Sequence, residues 1–168
     1  MPTPEIRVVA SRADLEWGRP TSDFAYCAYA SRMEAQGSRA ARDLTVLVSA
    51  GYGAKVRGLD LSHASLLSVS WPRQLWLERC SFASADLRHA TLDGWHFKLC
   101  DLTGANMRGA SLRGTGFAGC DLTGADLRDT DLRYASFGPV GVGNGAIETC
   151  LDRVLHDPSV DLLRIESS

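Results

Sequence analysis

Nowhere in the 168 residues does an apolar run approach the length of about eighteen that a membrane-spanning helix needs. The N-terminus, MPTPEIRVVASRADLEW, lacks an apolar segment behind a basic start, so no leader is expected and the cytoplasm is the default compartment. An excess of one charge is missing too. Eighteen basic and twenty acidic residues leave a formal net charge of -2, which argues against direct nucleic-acid binding and against a solvating acidic tail. Cys27, Cys80, Cys100, Cys120 and Cys150 form no CxxC pair and are odd in number, which speaks against a zinc site and a secreted disulfide framework. Free thiols are expected. His63, His89, His96 and His156 are scattered and no HExxH occurs, so no catalytic residue, metal or cofactor is assigned and the chain reads as a non-enzyme. GVGNGA resembles a phosphate loop only loosely, without a βαβ unit or an acidic partner, and reads as a flexible corner.

What the chain does have is a repeat. CDLTG is written at Cys100–Gly104 and again at Cys120–Gly124. Cut in fives from Leu75, the sequence reads LWLER CSFAS ADLRH ATLDG WHFKL CDLTG ANMRG ASLRG TGFAG CDLTG ADLRD TDLRY ASFGP. The third letter of each block is large and apolar, from Leu77 through Phe97 and Phe117 to Phe137, and the first is usually small. Neither the helical nor the strand period fits a five-residue unit, so the chain must turn once per block. The pattern begins upstream as AKVRG LDLSH ASLLS VSWPRQ, with one additional residue around Pro72-Arg73-Gln74 that reads as a corner bulge.

Blocks such as ADLRH, ANMRG, ASLRG and ADLRD resemble the A(D/N)Lxx unit of the pentapeptide-repeat family over residues 54 to 138. The resemblance implies a mainly β fold: a right-handed quadrilateral β-helix, four blocks to a coil, with the third and first letters pointing inward. Like residues should then stack one strand spacing, about 4.8 Å, apart. Phe97, Phe117 and Phe137 would form one column and Cys80, Cys100 and Cys120 another, the thiols filling the small slots also used by Ala85, Ala105 and Ala125. Trp95, above Leu75 and below Thr115 and Ala135, reads as tapered packing. Blocks ending in Gly mark corners that want positive φ.

Both ends of a solenoid must be covered. Residues 1–53 are expected to form an N-terminal helical cap, 54–139 the β-helix, and 140–168 a linker with a C-terminal capping helix. That last expectation rests on Ile147, Cys150, Leu151, Val154 and Leu155, which recur at helical spacing.

Outward positions are the candidates for partner binding. Arg88, Arg108 and Arg128 form a column beside Asp86, Asn106 and Asp126, whereas Asp101 and Asp121 stack with no Lys or Arg among their outward neighbours. Lateral Asp/Arg pairing would make the first set a plain soluble face. The resemblance implies more, because quinolone-resistance members of the family are rod-like dimers that imitate duplex DNA in the saddle of gyrase. By that resemblance the chain is expected to be a DNA-mimic inhibitor of a nucleic-acid-binding enzyme or complex, topoisomerase or phage-defence, with the C-terminal cap as a homodimer surface. The alternative is a structural or targeting scaffold for another protein. The solenoid departs from an acidic rod, with ten Lys/Arg against nine Asp/Glu, while the segment after it carries five acids against two arginines.

Overall fold

A computed structural model describes residues 52–71 and 74–162. Five short strands, β1 (Lys55–Arg57), β2 (Trp76–Glu78), β3 (His96–Lys98), β4 (Gly116–Ala118) and β5 (Ser136–Gly138), pair in parallel in sequence order. Three further ladders run parallel to this sheet as isolated bridges. One links Asp60, Ser81, Asp101, Asp121 and Cys150; the second Ser65, Asp86, Asn106, Asp126 and Leu155; the third Ser70, Thr91, Ser111 and Asp131. Four ladders make four faces, so the five-letter block is one side of a square coil.

The reason lies in the block itself. Its second and fourth letters point out and its third points in, as in any strand, and the fifth turns the corner. Corner residues are left-handed whether or not they are glycine: Gly94 has φ +70°, and Leu99 and Tyr134 hold φ +55° and +62°. Backbone groups that point along the axis pair with the next coil, as Leu102 N donates to Asp121 O at 2.7 Å and Asp121 N to Cys100 O at 3.0 Å. The additional residue expected near Pro72 is visible in the register. Lys55 pairs with Trp76, twenty-one positions on, whereas Trp76 pairs with His96, twenty on. Pro72 and Arg73 themselves fall outside the described residues.

Inside is a core one side chain wide. Leu87, Leu102, Phe117 and Leu122 are all buried. Phe97, Phe117 and Phe137 stack with centroids 5.2 and 5.0 Å apart and planes within 2° and 6° of parallel. Trp95 is buried and stacks on Trp71 at 5.1 Å; above it the column shrinks to Thr115, whose hydroxyl donates to Leu92 O at 2.9 Å. Thiols of Cys100 and Cys120 point to carbonyl oxygens of the coil below, Leu77 and Phe97, each at 3.4 Å. The Cys120 and Cys80 sulfurs beside it, together with burial, push the Cys100 thiol up, so it stays protonated and inert.

The expected C-terminal capping helix is absent, for the described residues contain no helix. Instead β6 (Val140–Val142) and β7 (Gly145–Ile147) form an antiparallel hairpin, and the chain then lays down part of another coil. Leu122 N donates to Cys150 O, and Leu127 N to Leu155 O. A helix satisfies its own backbone and would have left these edge groups of the fourth coil unpaired. The apolar set Ile147, Cys150, Leu151, Val154 and Leu155 that suggested a helix is split by this arrangement. Ile147 and Leu155 are exposed, while Leu151 and Val154 lean over the core and Leu162 is buried. The N-terminal helical cap expected over 1–53 lies, as far as residue 51, outside the described residues.

Candidate functional site

Each outward Asp or Asn at a second letter of the coils, and Ser81 with them, does a local job first. Its side chain accepts from the backbone two residues on, the turn-mimicking bond these short polar side chains make readily. Asp101 Oδ1 accepts from Thr103 N at 2.9 Å, and Asp121 Oδ1 from Thr123 N at 2.9 Å and the Thr123 hydroxyl at 2.6 Å. These two aspartates are bridge partners in neighbouring coils and both are exposed. Neither forms an ion pair among the described residues, and no cation stands at the outward positions Ser81, Ala83, Thr103 and Thr123 of their face. Asp60 begins the same ladder below Ser81, and Asp152, which pairs with Arg153 at 3.5 Å, follows Cys150 above Asp121. One side of the coil is therefore a carboxylate stripe.

The neighbouring face behaves differently. Aspartate and arginine two apart on a strand face the same way, so the sequence DLR builds its own ion pair. Arg88 grips Asp86 through Nε and Nη2 at 2.8 and 2.7 Å, and Arg128 grips Asp126 at 2.9 and 2.6 Å. Each guanidinium holds its partner carboxyl below the ordinary carboxylate range. Arg108 lacks such a partner because the intervening second letter is Asn106, and it reaches instead to Asp129 at 2.8 Å. Of the seven positions singled out in the sequence, Asp86, Arg88, Asp126 and Arg128 neutralise one another, Arg108 is paired across the coil, and Asp101 and Asp121 remain.

A third DLR, at Asp131-Leu132-Arg133, was legible by the same rule and missed. Arg133 binds both Asp131 oxygens, at 2.9 and 2.6 Å, and holds that carboxyl at about 2. The pair is largely solvated and contributes little to stability. Because the folded value lies below the ordinary 3.8, its contribution is complete above that value and is lost as the pH falls toward about 2. An NMR titration should place the Asp131 midpoint near 2 and return it to the ordinary range in Arg133→Gln; an ordinary midpoint in the parent protein would show that the pair does not form in solution.

The sheet face of β1 to β5 was also missed. Trp76 and His96, twenty residues apart in LWLER and WHFKL, are bridge partners, and their rings stack at 4.0 Å and 19°. Trp76 is nevertheless 46% exposed. Beside them Glu78 joins Arg57 at 2.8 Å and Lys98 at 3.6 Å.

The family model for pentapeptide repeats matches residues 80–117 and 112–138 in eight copies. No curated protein matches the chain. Among solved structures, a pentapeptide repeat protein of Nostoc PCC 7120, alr5209, is 21% identical over 88% of this chain and 96% of its own, with a TM-score of 0.36. Rfr23, from the cyanobacterium Cyanothece 51142, is 20% identical over 61% of this chain and 56% of its own, with a TM-score of 0.31. QnrB1, a plasmid-mediated fluoroquinolone resistance protein, is 26% identical over 49% and 45%, with a TM-score of 0.31. The chain thus spans about half the length of the last two. Five-residue blocks, four stacked ladders and the family match together make residues 80–138 an array of pentapeptide repeats.

Proposed function

We propose that the protein is a non-catalytic binding module whose Asp101–Asp121 stripe occupies the nucleic-acid site of a nucleic-acid-binding enzyme or complex, with a topoisomerase or a phage-defence complex as the target class. The observation that carries this reading is the contrast between faces. The Asp86, Asp126 and Asp131 carboxylates are each held by an arginine two residues on, while Asp101 and Asp121 keep their charge exposed. Two carboxylates about 4.8 Å apart along a rigid axis approach the charge spacing of one nucleic-acid strand, roughly 3.4 Å per phosphate. The ladder holds them there before any partner arrives, so docking costs little ordering. Family resemblance supplies the target class.

The test is inhibition of DNA supercoiling by gyrase, with competition for DNA as a second readout. Asp101→Lys with Asp121→Lys should raise the concentration needed for inhibition at least about tenfold, a loss of roughly 1.4 kcal/mol in binding. Arg88→Ala with Arg128→Ala should change it little. Undiminished inhibition by the doubly reversed aspartate variant would overturn the reading and move the site to another face.

A further inference from the structure

We propose that the Trp76–His96 face of the coil is a docking surface for single-stranded nucleic acid. This inference stands apart from the acidic stripe, which lies on the next face around the coil. Global charge argued against such binding, but the average conceals opposed faces. The Asp101 ladder is acidic, whereas the outward positions of β1 to β3 hold Lys55, Arg57 and Lys98, with Glu78 shared between the last two.

Three features fit one occupant. The first is a flat aromatic stack, Trp76 on His96 at 4.0 Å and 19°, with almost half of the indole open to solvent. Gly116, the next step of that ladder, has no side chain, and a Cβ there would sit 3.1 Å from His96 Nδ1; the glycine leaves room for the imidazole to lie over it. The second is a shallow hollow of about 210 Å³ bounded by Lys55, Arg57, Trp76, Glu78, His96 and Lys98. It offers one planar ring a stacking surface. The third is charge. Lys55 precedes Trp76 in its own column, and Arg57 and Lys98 flank Glu78 in the adjacent one, so one cation stands at the end of the stack and two along one side of it. Aromatic rings interleaved with cations on a backbone that does not rearrange are what an unpaired strand uses, with bases stacking on rings and phosphates lying over ammonium and guanidinium groups. A duplex keeps its base faces inside and could use only the cations.

The experiment is fluorescence anisotropy of a labelled oligo-dT with the full chain, at low and moderate salt. Binding is expected, with a log–log salt slope of roughly −2 if two to three phosphates are contacted. Trp76→Ala should weaken it roughly tenfold, since one stacked base is lost, while Trp76→Phe keeps most of it and Lys98→Ala lowers the salt slope. Trp76 is exposed, so these variants should fold as the parent does, which circular dichroism checks. No binding at low salt, equal binding by Trp76→Ala, or displacement of the oligonucleotide by an acidic peptide at equal concentration would each overturn the proposal.

Discussion

Phe117→Ala should lower the unfolding free energy by about 3–5 kcal/mol. The ring is 1% exposed and is clamped between Phe97 and Phe137 at 5.2 and 5.0 Å, with planes almost parallel. Removing it opens a void that cannot collapse. Its neighbours above and below are held at the strand spacing by backbone ladders, as Gly116 to Ala118 pairs with both β3 and β5. Because each coil touches only its neighbours, the loss also uncouples the coils below from those above. For a domain of this size, each kcal/mol should move the melting temperature by about 4–8 °C. Phe117→Leu, which keeps most of the volume, should cost far less. Urea unfolding followed by circular dichroism checks both, and a loss below 1 kcal/mol for the alanine variant would mean that the Phe column is not the core's central support.

That column could be read from the sequence because stacking follows from the five-residue period together with the four-block coil that the family resemblance implies. Once the block length is five and the coil closes after four blocks, Phe97 must lie under Phe117, and the slip at Pro72 must appear as one longer step. The DLR pairs were equally open to view, since residues two apart on a strand share a side; Asp131 and Arg133 were passed over although they repeat the arrangement of Asp126 and Arg128. The C-terminal end was not legible. Apolar residues at 147, 150, 151, 154 and 155 satisfy a helical period, whereas the five-residue one is broken here, with Leu155 at an outward second letter and His156 where an apolar third letter is due. What decides is the unpaired backbone edge of the fourth coil, a property of the assembled solenoid. The Trp76–His96 stack lies wholly beyond the inserted residue, in the plain twenty-residue register of LWLER and WHFKL, and was as open to view as the third DLR pair.

Gly119→Ala should be costly where Gly124→Ala is not, although both glycines turn corners of the same coil with φ of +62° and +67°. A left-handed residue with a Cβ costs roughly 1–2 kcal/mol, and that is all Gly124→Ala should lose, since no atom lies within 4 Å of its added carbon. Leu99, one coil below Gly119, already holds φ +55°, so the conformation alone is tolerable at this corner. The difference is what leans on it. A Cβ at Gly119 would collide with the Val140 side chain and come within 3.1 Å of Ile147 O and 3.2 Å of Leu99 Cδ2. Val140 can rotate, but Ile147 O belongs to the backbone of β7, so the hairpin itself must move. Its movement would loosen the latch just beyond it, where the Thr149 hydroxyl lies 2.8 Å from both Phe117 O and Gly138 O and Cys150 begins the covering strip over Asp121. A total loss of about 2–4 kcal/mol is expected, within the range that clashes in packed regions produce. Limited proteolysis should then cut within 140–147 sooner in Gly119→Ala than in Gly124→Ala. Equal stability and equal cleavage would show that the hairpin does not seal the end of the coil, and that the strip from Thr149 to Leu155 covers it alone.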